Sequence, residues 1–320
     1  MAQSTATSTA TPTGSGSWTV PAGVWKITKL EVYGGGGAGG SATSAHSAGS
    51  GGGSGAYASA ATNISVTPNT QVLDFSVGAR GTAGTSSGRG GTSYVRENAS
   101  SSTYYVRATG GYGGSTATVA ATGSGTTSTA TATSTLANAD YGDTKTSGKK
   151  GNNGSITRSR SGFIFYSYSF SGTGGAGGNN VNNAGAGSSR TSSGAGNGTT
   201  TVGAGGGGAL NTGDANSSYT GGQGGPGRVI ITYEILTLHV TIDANGGTTS
   251  AMDFDILYYN QFGSNLPDAT LDGYTFLGWY TDGGVKMTAD SLCKMTADFT
   301  LKAHFLKAGA IADGSTTASP

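Results

Sequence analysis

The sequence predicts a mainly β fold in two parts, a long glycine-rich part and a short conventional β module. Three observations predict it. Glycine is gathered in tight clusters, the clusters alternate with short β-branched and aromatic runs, and after Tyr233 the composition turns abruptly to that of an ordinary small domain. The chain of 320 residues holds 61 glycines, 34% hydrophobic residues and 10% charged residues, so an oily core does not run its whole length. Low hydrophobicity alone would suggest disorder, but a formal net charge of +1 lacks the self-repulsion of disordered chains and favours close association.

The elements follow in order. Residues 1–16 are rich in Ser, Thr and Ala and read as a polar N-terminal arm. They lack Lys, Arg and an apolar run, so they do not resemble a secretory signal. This predicts arrival at the exterior by a route other than a cleaved signal, such as a virus particle released by lysis. A mature fragment whose signal has been removed is the competing reading. Pro21-Ala22-Gly23 makes a turn into a strand ending at Tyr33, in which Leu30 and Val32 alternate with Glu31 and Tyr33. Glycine clusters follow at 34–40 and 49–55. Two more strands, Ile64-Ser65-Val66 and residues 72–77, flank the turn Thr67-Pro68-Asn69-Thr70, and Leu73, Phe75 and Val77 share one face.

Residues 78–225 are low in complexity, broken by strand-like runs at 93–95, 103–106 and 163–170. No strict Gly-X-Y period holds, which excludes a collagen triple helix. In the clusters at 174–178, 203–208 and 221–225, missing side chains allow neighbouring backbones to approach and extended polyproline-II-like segments to stack. A flexible linker is the competing reading of any one cluster. The set follows strands and is closed by the strand Val229-Ile230-Ile231-Thr232-Tyr233, which favours order.

The bracket of Trp18-Thr19-Val20-Pro21-Ala22-Gly23-Val24, Leu30-Glu31-Val32-Tyr33-Gly34-Gly35-Gly36 and Gly225-Pro226-Gly227-Arg228-Val229-Ile230-Ile231-Thr232-Tyr233 resembles the glycine-rich domain of phage tail-fibre and adhesin proteins. The resemblance implies a glycine-rich β domain over 17–234, with polyglycine-II-like packed segments carrying variable loops. The Ser/Thr/Ala tract 115–139 and the basic-aromatic stretch 149–170 depart from it, and read as display loops or contacts to partner chains.

Beyond it, Leu236, Leu238, Val240 and Ile242 share a strand face, Asn245-Gly246 suits a tight hairpin turn, and a second strand follows at 253–259. The ordered motifs Val240-Thr241-Ile242-Asp243-Ala244-Asn245-Gly246-Gly247, Leu266-Pro267, Gly273-Tyr274-Thr275-Phe276-Leu277-Gly278-Trp279-Tyr280, Thr288-Ala289-Asp290 and Thr300-Leu301-Lys302-Ala303-His304-Phe305 resemble the B-repeat of internalins and Bacteroides surface proteins. That implies a small β-grasp-like module over 235–307, used as a surface spacer or interaction unit, with Phe305 where many members carry Trp. Trp279 is expected in its core rather than on a carbohydrate platform. The polar tail 308–320 completes the chain.

The inventory for chemistry is thin. His46, His239 and His304 are scattered, no triad or metal spacing occurs, and no glycine cluster ends in a phosphate-binding Gly-Lys-Ser/Thr, so no enzyme and no cofactor is expected. Asp243, Asp253 and Asp255 suit a cation in principle, but a solvent-facing charge pair is the commoner arrangement. Cys293, alone of its kind, rules out an intrachain disulfide and reads as a small core residue. Without a basic stripe or a transmembrane stretch, neither nucleic acid nor membrane insertion is expected.

Binding therefore leads the functional reading. Tyr104, Tyr105, Tyr112, Tyr166 and Tyr168 are candidate contacts, since tyrosine offers large amphipathic area at low entropic cost; core packing is the alternative for each. Arg158 and Arg160 join them in a basic-aromatic patch suited to anionic glycans or a neighbouring subunit, with a solvated loop as the alternative. The expected role is a structural and binding protein on a phage virion surface, as tail fibre, adhesin or capsid-decorating fibre. Its expected partners are other virion proteins, copies of itself and a host-surface glycan or protein. The alternatives are a bacterial cell-surface or matrix protein and a purely architectural virion component.

Overall fold

The computed structural model describes residues 4–83, 88–122, 124–162 and 187–308, together with the backbone of Ser167–Thr173. The cluster 174–178, Tyr166 and the tail from 309 onward lie outside the described residues. Among the described residues the regular secondary structure is nearly all strand, with one 3-10 turn at Gly263–Asn265.

Its spine is one nine-stranded sheet. The strand Arg228–Asp243 lies at its centre, pairing antiparallel with Val24–Tyr33 along its first half and with Phe254–Leu257 further on. Along its opposite edge run Ser4–Ala10, antiparallel, and then Phe299–Lys307, parallel. Tyr57–Ser65 extends the sheet beyond Val24–Tyr33, and Tyr274–Thr281 extends it beyond Phe299–Lys307. A five-stranded sheet, in the order Ala139–Tyr141, Tyr104–Ala108, Ser93–Arg96, Val72–Ser76 and Gly16–Thr19, covers the glycine-rich half of the spine. Between the two sheets lie Val24, Ile27, Leu30, Leu73, Val95, Val106, Val229 and Ile231, all fully buried. The alternation in 30–33 and 72–77 thus produces the expected two-faced strands, and Asn69, at φ 63°, completes the expected turn.

The glycine clusters form a lattice instead of a sheet. Gly34, Gly37 and Gly40 donate their N–H groups to Ala56, Gly53 and Ser50 at 2.8–2.9 Å. Gly35 and Ala38 donate to Gly91 and Gly88, and Gly36 and Gly39 to Gly225 and Gly222. Each third residue therefore points to the same neighbour, which is the period of a three-residue-per-turn extended helix. In return, Gly111 and Gly114 donate to the carbonyls of Gly35 and Ala38, Gly206 and Ala209 to Gly37 and Gly40, and Gly81 to Gly36. The segment 34–40 is thus surrounded on every side by backbone, and all seven of its residues are buried.

At Gly36 and Gly39 only glycine permits this spacing. A methyl group at Gly36 would fall on the carbonyl oxygen of Ala204, and one at Gly39 on that of Gly207. Buried serines serve the lattice as acceptors: Ser54 Oγ accepts the N–H of Lys149 at 2.7 Å, and Ser93 Oγ that of Gly78 at 2.8 Å. Each such bond contributes about 1 kcal/mol net. Their number replaces the apolar burial that the composition withholds.

The second core belongs to the repeat-type module. Leu236, Leu238, Val240, Trp279, Cys293, Leu301 and Phe305 are buried together, and Trp279 Nε1 donates to the carbonyl of Pro267 at 2.8 Å. The Asn245-Gly246 turn takes the positive φ values of 50° and 81° that the sequence anticipates. Strands cross or extend two of the expected segments. The boundary at 234/235 falls inside the uninterrupted strand Arg228–Asp243, because Val24–Tyr33 and Phe254–Leu257 pair with it in succession. The N-terminal arm is itself a strand over Ser4–Ala10, because the other edge of Arg228–Asp243 offers unpaired backbone groups there. The junction is further closed by Trp25, which packs against the second core, and by Lys26 paired with Glu234 at 2.9 Å.

Candidate functional site

The solvent face of the five-stranded sheet carries an aromatic and guanidinium ladder. Along Ser93–Arg96, alternation sends Ser93 and Val95 inward and leaves Tyr94 and Arg96 outward. Next to it, Val106 faces Val95, but a bulge shifts the register so that Tyr104 faces Arg96. The bulge turns Tyr104 outward and directs Tyr105 to the apolar core.

The rings then meet across strands. Tyr94 and Tyr104 stand edge to face with centroids 5.1 Å apart, and Tyr104 and Tyr141 lie 5.2 Å apart. The Arg96 guanidinium lies 5.2 Å from the Tyr94 ring and that of Arg107 lies 5.1 Å from the Tyr104 ring. Carboxylates hold both cations in place: Arg96 Nε donates to Asp74 Oδ2 at 2.6 Å and Arg107 Nη1 to Asp140 Oδ2 at 3.0 Å. Burial, and then the Asp74 carboxylate, push the Tyr94 phenol above its ordinary range. Such cross-strand pairs stabilise the sheet by about 0.2–1 kcal/mol each. They also group phenol hydroxyls, ring edges and guanidinium planes on one face of the sheet.

The structure distributes the expected contact residues widely. Tyr104 is at the centre of this ladder. Tyr105 packs against the core instead, and burial raises its phenol. Tyr112 belongs to the lattice, where its ring lies 4.2 Å from the Arg89 guanidinium and its carbonyl accepts the N–H of Gly53. Arg158 requires a correction: it is buried, and its guanidinium donates to the carbonyls of Ala120, Thr122 and Ser124. It fastens Ala120, Thr122 and Ser124 to the strand Gly154–Ser161 and does not form a surface contact. Arg160 is exposed on that strand, in register with Tyr168 of Ser167–Thr173. Sequence reasoning missed Tyr94, Arg96, Arg107 and Tyr141. The spacing Tyr94-x-Arg96 was a usable signal, since alternation places both on one face.

In the second module Asp253 and Asp255 both flank His239, at 3.9 and 2.9 Å, while Asp243 turns away to its own loop. Asp255 is 2.9 Å from His239 Nδ1, Asp253 accepts the Ile242 N–H, and Asp243 accepts the Asn245 N–H. Among the described residues no group of three His, Cys, Asp or Glu side chains could hold a metal ion. Among them, too, no helix is long and apolar enough to cross a membrane.

Comparison with known proteins bears out the two-part reading. A family model described as a glycine-rich domain matches residues 9–234, and one described as a Listeria-Bacteroides repeat domain matches residues 239–304. No curated protein matches the chain.

Proposed function

The chain belongs to the glycine-rich domain family, and on that premise we propose that it is a non-enzymatic binding protein on the surface of a phage virion. A glycine-rich domain joined to a repeat domain marks a structural or surface protein. In that role it is a tail fibre, adhesin or capsid-decorating fibre that is held by other virion proteins and presents its ladder to a host-surface glycan or protein. The observation that supports it most is the placing of Tyr94, Tyr104 and Tyr141 on a sheet buttressed by the glycine lattice. A preset face loses little entropy on contact, and many copies on one particle turn weak contacts into firm attachment.

The test is immunogold labelling of intact particles, paired with binding of the purified chain to host cells. Label on tail or head, with binding lost in a Tyr94→Ala, Tyr104→Ala, Tyr141→Ala triple variant, is the expected result. Particles without label overturn the virion reading. Full binding by the triple variant overturns the ladder as the contact face. The repeat domain supports a second reading, a bacterial cell-surface protein, for which label falls on the cell exterior and not on particles.

A further inference from the structure

The strand Ser4–Ala10 is bound in an unusual way. It runs antiparallel along residues 231–237, from Ser4 facing Thr237 to Ala10 facing Ile231. Ser4, Thr5, Ala6, Thr7 and Thr9 are nevertheless exposed, and only Ser8 and Ala10 are half-buried. The backbone ladder therefore holds the strand, with almost no apolar burial to fix it to its own chain.

Its tether is equally slight. Ser15 is anchored, its Oγ lying 2.9 Å from Ser76 Oγ and accepting the Val77 N–H at 3.3 Å. Between Ala10 and Ser15 lie Thr11, Pro12, Thr13 and Gly14; all but Pro12 are exposed, and a side chain at Gly14 would touch nothing. Pro12 fixes its own φ and biases Thr11 toward extended backbone, and the chain bends over 13–15. The edge beneath the strand, by contrast, must be covered, since bare N–H and C=O groups over 231–237 would pair with any available strand.

We propose that Ser4–Ala10 is an exchange strand, laid in the assembled protein on the 231–237 edge of a second copy of this chain. Every ladder bond is remade in the exchange, so the register of the single chain describes the linked one as well. The tether is short: four or five residues reach at most about 15–18 Å, so linked copies sit closely side by side. The edge spans both modules, with residues 231–234 on the glycine-rich side and 235–237 on the repeat side. One arm therefore clasps both modules of its neighbour. This inference is independent of where the protein is placed in a particle.

The test is native mass spectrometry of the full chain and of a chain lacking residues 1–13, together with a Thr9→Cys, Thr232→Cys pair, which the register sets face to face. Cys293 is fully buried and stays out of the reaction in the folded chain. The expected results are a multimer that falls to single chains on truncation, and oxidised cysteine pairs that run as linked multimers on a denaturing gel. A full chain that is monomeric, a truncated chain that stays multimeric, or cysteines that link only within one chain would each overturn the proposal. The cysteine pair leaves the arm in place, so it decides the matter even if the truncated chain fails to fold.

Discussion

Gly23 donates its N–H to the carbonyl of Tyr258 at 2.9 Å, so a turn of the glycine-rich domain is bonded directly to the repeat module. Gly23 holds φ at +81°, and an added methyl would stand 3.0 Å from Ile235 Cγ2 and 3.2 Å from Leu257 Cδ2. Gly23→Ala is therefore expected to destabilise the junction by about 2 kcal/mol, mostly through the left-handed backbone. Urea unfolding measures this, and a midpoint equal to that of the parent chain would refute it.

The lattice predicts a sharp contrast between two glycines. Gly36→Ala drives a methyl into the carbonyl of Ala204, whereas Gly14→Ala meets no atom within 4 Å. The first is expected to cost more than about 4 kcal/mol and the second to stay within about 0.5 kcal/mol. Thermal denaturation of the two variants side by side decides it. Equal effects would mean that the clusters are not packed as described.

Arg158 predicts a buried fastening. Arg158→Ala leaves the carbonyls of Ala120, Thr122 and Ser124 without their charged donor, an expected loss of about 2–3 kcal/mol. Arg158→Lys recovers only part of it, because an ammonium lacks the planar fork that spans several acceptors. Chemical denaturation gives the energies, and faster proteolysis within 120–124 locates the damage.

Cys293 gives a prediction in pH. Burial holds its thiol above the ordinary value of 9.0, and a hydrogen bond from the Met295 backbone offsets part of that. The folded value is the higher one, so the unfolded chain releases its proton first. The stability this group supplies is complete below 9.0 and is lost as the pH rises toward the folded value. The Tyr105 and Tyr258 phenols, raised by burial above 10.0, act in the same sense at higher pH. Unfolding midpoints taken from pH 7 upward should fall, and less steeply in Cys293→Ala.

How much of this was legible depended on whether side chains encode it. Leu30, Leu73 and Trp279 declare their burial by alternation and size, and Asn245-Gly246 declares its turn by the backbone angles it tolerates. The clusters are legible as close-packed backbone. Their partners are not: nothing in Gly36 specifies Gly225, since that pairing is set by where the flanking strands deliver the chain. The ladder was half legible for the same reason. Tyr104 and Tyr105 look alike in sequence, and a one-residue bulge decides which of them faces solvent. Arg158 misled because a charge in a polar tract suggests a wet surface, whereas the carbonyls of Ala120, Thr122 and Ser124 solvate it from within.

The strand Arg228–Asp243 has a mechanical consequence. A pull on the repeat module enters the lattice along the covalent backbone of a strand gripped on both edges. Ladder bonds on both sides would have to shear together before the two halves could bend apart. Whatever is attached at one end is thus levered by the other, and torque as well as tension passes through.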